Sequence, residues 1–340
     1  MMFGEMSDAQ LVATITGIGI AVGFVIAVLS CALLLPLLRR LELRQQVYED
    51  APATHRAKTG TPTMGGICFV LAVAPLLYRN IYPGSLAVSI FGLIAGCAAV
   101  GFVDDLMAVR FGRNRGLRAR TKFLLTALIA VMFLRAIGDS FGARDVLLAI
   151  PSAGVVLIAP HWLWFLLGVA AITGTIHAVN LTDGLDGLAA GTMIFPIAAI
   201  AAIVFIGIFG GTLKTVSPYV ANVALLGIGA CLGFLLYNRH PAKLIMGDTG
   251  SLALGALLSG IAVLSGQMLL LIVIGGVFVA EALSVMLQVV YFKLTHGKRI
   301  FKMSPLHHHF ELSGWPETKV TTRFWIASAI CSAVGLAIVR

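Results

Sequence analysis

The fold is decided between residues 163 and 209, where the chain reads LWFLLGVAAITGTIHAVNLTDGLDGLAAGTMIFPIAAIAAIVFIGIF. Two apolar runs, each close to the roughly 20 residues that cross a bilayer as a helix, flank the polar turn Asn180–Gly187. The turn carries Asp183 and Asp186. A loop that only joins two helices would explain it, but an acid at bilayer depth costs about 2.5–3.5 kcal/mol on insertion scales. Two acids at a membrane edge therefore indicate a functional site.

The composition is that of an integral membrane protein. Of the 340 residues, 59% are hydrophobic and 11% are charged, whereas a soluble domain carries roughly 25% charged residues. The mean hydropathy is +0.97. The net charge of +9 could suggest a nucleic-acid partner. In a protein with many spans, it is better explained by basic loops that face the cytoplasm and anionic lipid, so we expect no nucleic acid.

The apolar runs predict an all-α polytopic membrane protein of about ten transmembrane helices. Their length suits helices, and they lack the period-two alternation of barrel strands. We interpret residues 1–340 as a single integral membrane domain, in which the second span has the least certain boundaries. The predicted spans are 11–38, 64–78, 85–103, 121–138, 161–179, 188–209, 219–236, 249–266, 268–294 and 320–338.

The basic residues predict the orientation. Of the 24 lysines and arginines, 19 fall on one set of connections, which the positive-inside rule assigns to the cytoplasm. Every dense polar motif falls on this same side, which predicts one active-site cleft at the cytoplasmic face. On the opposite side, residues 139–160 contain Pro151, Gly154 and Pro160 between short β-branched runs. They predict a small hairpin or a re-entrant piece.

Carboxylates dominate two of the motifs. Asp104 and Asp105 are adjacent at the end of the third span, where a general base or a shared divalent cation would use such a pair. A helix end running into solvent is the alternative, but helix C-termini disfavour acids. Asp248 and Thr249 open the eighth span and could cap it. The same helix start could bind an anion, and a carboxylate beside a phosphate is a common Mg²⁺ site.

Three further features carry polar groups on the cytoplasmic side or inside a span. Lys58 precedes the small-residue loop Gly60–Gly66, which either binds phosphate or simply enters a helix. Three consecutive histidines, His307, His308 and His309, cannot all face one point, so a three-ligand zinc site is not expected. They could bind phosphate or move protons, or lie on a solvated helix. Glu281, inside the ninth span, either pairs with a polar group or marks a helix break.

Together these motifs indicate phosphoryl-transfer chemistry on one membrane face. Carboxylates, a lysine, histidines and glycine-rich turns occur there, without a Walker A sequence or a serine nucleophile elbow. Metal-assisted transfer between a water-soluble anion and a lipid fits this set best.

Three motifs also resemble a known family: GTPTMGG at Gly60–Gly66, NLTDGLDGLA at Asn180–Ala189 and PLHHHFE at Pro305–Glu311. The chain resembles the polyprenyl-phosphate N-acetylhexosamine-1-phosphate transferases, in the branch that transfers phospho-MurNAc-pentapeptide, from about Gln45 onward. The resemblance implies ten helices, UDP-MurNAc-pentapeptide and undecaprenyl phosphate as substrates, lipid I and UMP as products, and Mg²⁺ as cofactor. It also implies a multi-pass protein of the bacterial inner membrane and makes a homodimer plausible.

The resemblance also assigns roles to residues. Asp104 would deprotonate or orient the lipid phosphate, Asp105 would support it, and Asp248 would bind Mg²⁺. A larger set of residues would bind the donor, and the histidines among them would lie at its diphosphate end. These residues are Lys58, Thr63, Asn180, Asp183, Asp186, Asn238, His307, His308 and His309.

Four positions depart from the family pattern. Tyr48 stands where a basic residue is usual, and Ala51 where glycine is usual. Ala108 replaces a lysine, whose charge Arg110 or Arg113 could supply. His177 replaces an asparagine.

Several alternatives stay open at this point. The donor could be UDP-GlcNAc, as in the sister branch. The protein could also transport an anionic lipid or a nucleotide, although transporters tend to show internal repeats and polar sites at the midplane, and neither is clear here. Transfer could proceed in one displacement, which we favour, or through an aspartyl-phosphate.

Overall fold

The computed structural model describes residues 8–43, 60–78, 85–110, 116–138, 145–150, 155–209 and 217–339. These residues are almost all helical, and nine of their helices are long and apolar enough to cross a membrane. The prediction of an all-α polytopic membrane protein is confirmed. The helices are α1 (Asp8–Arg40), α2 (Ile67–Val73), α3 (Leu86–Arg110), α4 (Ala119–Gly138), α5 (His161–Thr182), α6 (Leu188–Phe209), α7 (Ser217–Asn238), α8 (Gly247–Leu264), α9 (Leu271–Ile274), α10 (Gly276–Leu294), α11 (Leu306–Glu311) and α12 (Glu317–Val339).

Two predicted spans differ in the structure. The second is only α2 and a 3₁₀ turn, Ala74–Leu77, because Pro75 lacks the N–H that would continue the α-helix. The ninth is divided at Gly275, so the short α9 precedes the long α10. Glu281 therefore does not mark the break in the ninth span. It has a polar partner instead, which is described below.

Residues 145–150 and 155–158 confirm the hairpin, one of the two alternatives predicted for residues 139–160. Strand β1 (Val146–Ile150) pairs antiparallel with β2 (Val155–Ile158), and the register is irregular between Val146 and Leu148. Gln267 donates its side-chain amide to the carbonyl of Ala149 over 2.7 Å, which ties the hairpin to the end of α8.

Helix α8 lies at the centre of the bundle. All its residues from Thr249 to Leu264 are buried, and it packs chiefly against α3 and α5. Its sequence suits this place, because its many glycines, alanines and serines let neighbouring helices approach closely. At Gly255, a side chain would overlap the backbone of α5 at Ile176, so the small residue permits close packing.

A second close approach brings the acidic motifs together. At Gly101 of α3, a side chain would overlap the backbone of α8 at Asp248 and Thr249. The acids Asp104 and Asp105 follow within the next helical turn, and α3 continues beyond them to Arg110 rather than ending there. Two motifs that are far apart in the sequence therefore meet at one place.

Candidate active site

Asp105 joins α3 to the first turn of α8. Its Oδ1 accepts a hydrogen bond from the backbone N–H of Asp248 at 3.0 Å. Its Oδ2 accepts from the backbone N–H and the hydroxyl of Thr249, at 3.0 and 2.7 Å. The first N–H groups of a helix have no partner within the helix, and here a carboxylate from another helix satisfies two of them. Both oxygens of Asp105 are thus engaged in holding the site together.

Asp104 turns to a different set of partners. Its Oδ1 accepts from the backbone N–H of Leu117 at 2.6 Å, and its Oδ2 accepts from Nζ of Lys122 at 3.0 Å. The same ammonium group contacts Oδ2 of Asp248. Lys122, in the first turn of α4, therefore lies between the two carboxylates and balances part of their charge.

Lys122 is a site residue that the sequence analysis missed. It was counted only among the cytoplasmic basic residues, and Arg110 or Arg113 was considered as the source of the charge missing at Ala108. Arg110 is exposed at the end of α3, and Arg113 lies outside the described residues. A lysine at the very start of an apolar span was the signal that could have identified it.

Asn180 connects the turn Asn180–Gly187 to this cluster. Its side-chain amide donates to Oδ1 of Asp248 at 2.8 Å and to Oγ of Ser251 at 2.9 Å. The end of α5 and the start of α8 are thereby held together. Four helices, α3, α4, α5 and α8, each contribute at least one polar side chain to one cluster: Asp104, Asp105, Lys122, Asn180 and Asp248.

The donor chemistry of this cluster fits a Mg²⁺ ion. Oxygens of Asp104 and Asp248 converge on one cationic group, so the place already suits a positive charge. Mg²⁺ is usually held by one or two carboxylates, with waters and phosphate oxygens completing the shell. The Asp248 side chain is 24% exposed and that of Asp104 is 12% exposed. Asp248 is therefore the more accessible ligand.

Thr63 packs against the same helix start. It is buried, and a side chain added at Gly247 would come within 2.9 Å of its Oγ1 and 2.5 Å of Oδ2 of Asp105. The N–H of Ile245 donates to the carbonyl of Pro62 at 2.8 Å, which fixes the loop of small residues to the segment before α8. Lys58, Tyr48 and Ala51 lie outside the described residues.

The turn between α5 and α6 is held by a stripe of side chains on α12. Glu317 accepts from the N–H of Asp186 at 2.6 Å, and Thr321 donates to the carbonyl of Asp186 at 3.4 Å. Trp325 donates its indole N–H to the carbonyl of Gly187 at 3.2 Å. These residues are four apart, so they share one face of the helix. This stripe does not stand out in the sequence, because each residue alone suits a helix end or a lipid-facing position.

Asn238 and Asp186 tie the turn to the segment after α7. Asn238 accepts from the N–H of Gly187 at 3.0 Å and donates to the carbonyl of Leu244 at 3.0 Å. Oδ2 of Asp186 lies 3.1 Å from Nδ1 of His240. These two predicted donor-binding residues therefore also shape the loops. Asp183 lies in the same turn, half-buried.

Asp186, His240 and Glu317 form the one group of three possible metal ligands found in the described part of the chain. Their ligand atoms lie within 4.8 Å of one another. His240 also lies 3.4 Å from Oε2 of Glu317, and Glu317 accepts from the Asp186 N–H. These contacts explain the group as a hydrogen-bonded connection between loops, and the Mg²⁺ prediction stays with Asp248.

The three histidines point to different partners, as predicted. His307 is 1% exposed and lies 3.2 Å, through Nδ1, from Oε1 of Glu281. His308 lies 2.9 Å from Oε2 of Glu311. His309 accepts, at Nδ1, from the N–H of Lys302 at 3.1 Å. Only His308 and His309 therefore reach the surface of this region in part.

An apolar cavity of about 360 Å³ lies between α5 and α10. Residues at every third or fourth position of α5 line one wall, down to Ala178, two residues before Asn180. Along α10, the lining residues include Phe278, Ala282 and Met286. The cavity therefore follows the α10-facing side of α5, whereas Asn180 projects from a different side of the helix toward α8.

Comparisons with known proteins identify the family. Residues 87–266 match the model described as Glycosyl transferase family 4. A Bacillus subtilis protein named phospho-N-acetylmuramoyl-pentapeptide-transferase is 43% identical over 324 residues, covering 93% of this chain and 95% of that protein. Proteins of the same name from Desulforamulus reducens and Heliobacterium modesticaldum are 43% and 47% identical, over 95% and 89% of this chain and 95% and 91% of their own lengths.

The chain belongs to the phospho-N-acetylmuramoyl-pentapeptide-transferase family. This membership confirms the resemblance that the three motifs carried.

The structure gives local partners to His177, the residue predicted to depart from the family pattern. Its Nε2 lies 3.1 Å from Oγ1 of Thr126, and its ring stacks on Phe123 with the centroids 5.5 Å apart. The Thr126 hydroxyl bonds in turn to the carbonyl of Lys122 at 3.0 Å. His177 thus packs α5 against the turn of α4 that presents Lys122.

Proposed function

We propose that this protein transfers phospho-MurNAc-pentapeptide from UDP-MurNAc-pentapeptide to undecaprenyl phosphate, giving lipid I and UMP. The observation that carries the proposal is the convergence of Asp104, Lys122, Asn180 and Asp248 at one place in a bundle that also holds an apolar cavity between α5 and α10. A transfer from a charged donor to a lipid needs both kinds of environment. The names of the relatives support the donor, and the bias of basic residues supports a cytoplasmic active site in the bacterial inner membrane.

The cavity between α5 and α10 suits the chain of the lipid acceptor. Its lining is almost wholly apolar, so a hydrocarbon chain could move from the bilayer into it without exposing apolar surface to water. An isoprenoid lying there with its phosphate toward Ala178 would have that phosphate at the same end of α5 that carries Asn180. Undecaprenyl phosphate has this form, a long apolar chain with one anionic end.

Each residue of the cluster has a role in the proposed reaction. Asp104 orients or deprotonates the acceptor phosphate, and Lys122 supplies positive charge to the phosphates. Asp248 would hold Mg²⁺, which would supply further charge neutralisation for the departing UMP. The acceptor oxygen attacks the β-phosphorus of the donor, and the bond from that phosphorus to the bridging oxygen breaks. UMP leaves with that oxygen, as in other in-line phosphoryl transfers.

One displacement is better supported than two. A covalent route needs a carboxylate oxygen free to attack phosphorus. Both oxygens of Asp105 accept hydrogen bonds from α8, so attack by this carboxylate would break the junction between α3 and α8. The acceptor phosphate is already a nucleophile. A phosphorylated aspartate trapped with the donor alone would contradict the single step.

Release of UMP in detergent tests the proposal. Purified protein with UDP-MurNAc-pentapeptide, undecaprenyl phosphate and Mg²⁺ is expected to release UMP, and chelation of the metal is expected to stop the reaction. A competition between radiolabelled UDP-MurNAc-pentapeptide and UDP-GlcNAc separates the two branches. A transporter would release no UMP. Absence of UMP under conditions in which the Bacillus subtilis relative is active would overturn the proposal.

A further inference from the structure

Glu281 is buried inside α10, and its side chain leads to His307. Its carboxyl group is 0% exposed. Oε1 accepts from the backbone N–H of His307 at 3.2 Å and lies 3.2 Å from the Nδ1 of the same residue. A carboxyl group within a spanning helix is costly unless it is paired, so it requires a partner. The structure provides one partner residue, bonded at two atoms.

The opposite edge of the His307 ring lies against the turn between α5 and α6. A side chain added at Gly184 would overlap Nε2 of His307. The Nδ1 side of the ring therefore faces Glu281, and the Nε2 side faces the turn. Nε2 of His307 and Oε2 of Glu281 have no hydrogen-bond partner among the described residues. The hydrogen-bond contact that orients the ring is therefore on the Glu281 side.

A second polar residue of α10 holds the same segment farther along. Gln288, seven residues after Glu281 and so on the same face, accepts from the N–H groups of Ile300 and Phe301 at 3.0 Å each. It also donates to the carbonyl of Phe301 at 3.0 Å. Helix α10 thus fixes the chain at residues 300–301 and again at His307, just where α11 begins.

We propose that Glu281 and His307 are a positioning pair that holds the Gly184 turn, with Asp183 and Asp186, in the geometry that binds the nucleotide part of the donor. This inference rests on the proposed function and deepens it. His307 then acts from beneath the turn, through its contact with Gly184, rather than as a group that touches the substrate.

A double-mutant cycle with two readouts tests the pair. Donor KM and kcat, together with equilibrium binding of UDP-MurNAc-pentapeptide, are measured for the wild type, Glu281→Leu, His307→Phe and the double variant. Each single variant is expected to raise donor KM and the dissociation constant about tenfold or more, with kcat changed by less than about threefold. The double variant is expected to be no worse than the worse single variant, since residues that act as a unit are not additive.

Conservative variants separate positioning from general stability. Glu281→Gln keeps an oxygen that accepts both bonds from His307, and donor KM is expected to stay within about threefold of the wild type. Ser284→Ala is the matched control, because that buried hydroxyl bonds only to the carbonyl of Glu281 in the same helix, and a change below about twofold is expected. If Glu281→Leu does not fold, Gly184→Ala is compared in the wild-type and His307→Ala backgrounds. Gly184→Ala is expected to weaken donor binding in the wild-type background but not in the His307→Ala background, because only the wild type has the His307 ring.

The results that would overturn the pair are distinct from failure of the function. Multiplicative losses in the double variant, unchanged donor binding in a folded Glu281→Leu protein, or equal effects of Gly184→Ala in both backgrounds would each contradict it. A wild-type protein that releases no UMP would instead contradict the proposed reaction.

Discussion

Asp105 of α3 receives two hydrogen bonds from Thr249 of α8, one from the backbone N–H and one from the hydroxyl, at 3.0 and 2.7 Å. Together with the bond from the N–H of Asp248, they make one carboxylate the junction between two helices. Asp104, its neighbour in the sequence, makes none of these contacts. The adjacent acids thus have separate tasks, one structural and one at the proposed reaction centre.

Asp105→Asn is expected to destabilise the protein. The amide NH₂ group would face N–H or O–H donors at one of the two oxygen positions, and a buried donor without an acceptor costs about 1–3 kcal/mol. Thermal unfolding in detergent should therefore begin at a lower temperature. Thr249→Val, which removes only the hydroxyl bond, should lower it less. An Asp105→Asn protein as stable as the wild type would show that the junction is dispensable.

Lys122→Met is expected to lower kcat by about 100-fold, because it removes the cation between Asp104 and Asp248 from the reaction centre. Arg110→Met is the control, since Arg110 is exposed at the end of α3, and it should change kcat by less than about twofold. Steady-state UMP release measures both. If Arg110→Met lowered kcat more than Lys122→Met, Arg110 rather than Lys122 would supply the charge missing at Ala108.

Glu317→Ala is expected to raise donor KM about tenfold or more, because the N–H of Asp186 would lose a charged acceptor and the turn would lose one of its anchors. Glu317→Gln keeps an acceptor oxygen and should be milder. Thr318→Ala, an exposed neighbour on the same helix, serves as the control. A donor KM that is the same in the Ala and Gln variants would mean that the α12 stripe does not position the turn.

Asp104→Asn is expected to lower kcat by about 100-fold or more while donor affinity changes by less than about threefold. The physical reason is that Asp104 is proposed to act on the acceptor phosphate, not on the nucleotide. Initial rates over a range of donor concentrations separate the two parameters. If only donor KM changed, Asp104 would belong to the donor site.

Hydropathy was sufficient to predict nine long helices, because the length and apolar composition of each run show by themselves that it can cross the bilayer. It also predicted the acids, since a carboxylate stands out in an apolar sequence. The contacts of Lys122 and Glu281 were not predictable in this way. Each pairs with a group more than 20 residues away, at a distance set by helix packing at places such as Gly101. The second span was predicted as one run, 64–78, and its division into α2 and a 3₁₀ turn was not predicted, because hydropathy does not register the missing N–H of Pro75.

The most direct test of the central claim is Mg²⁺-dependent UMP release by Asp248→Asn, measured beside the wild type and Asp145→Asn. Asp145 pairs with His161 near the hairpin, on the predicted opposite side of the membrane, so its substitution should leave turnover within about twofold. Asp248→Asn should retain about 1% of wild-type turnover or less at saturating Mg²⁺, since it weakens the metal site and the bonds to Lys122 and Asn180. Wild-type-like turnover in that variant would contradict the claim that this cluster is the reaction centre.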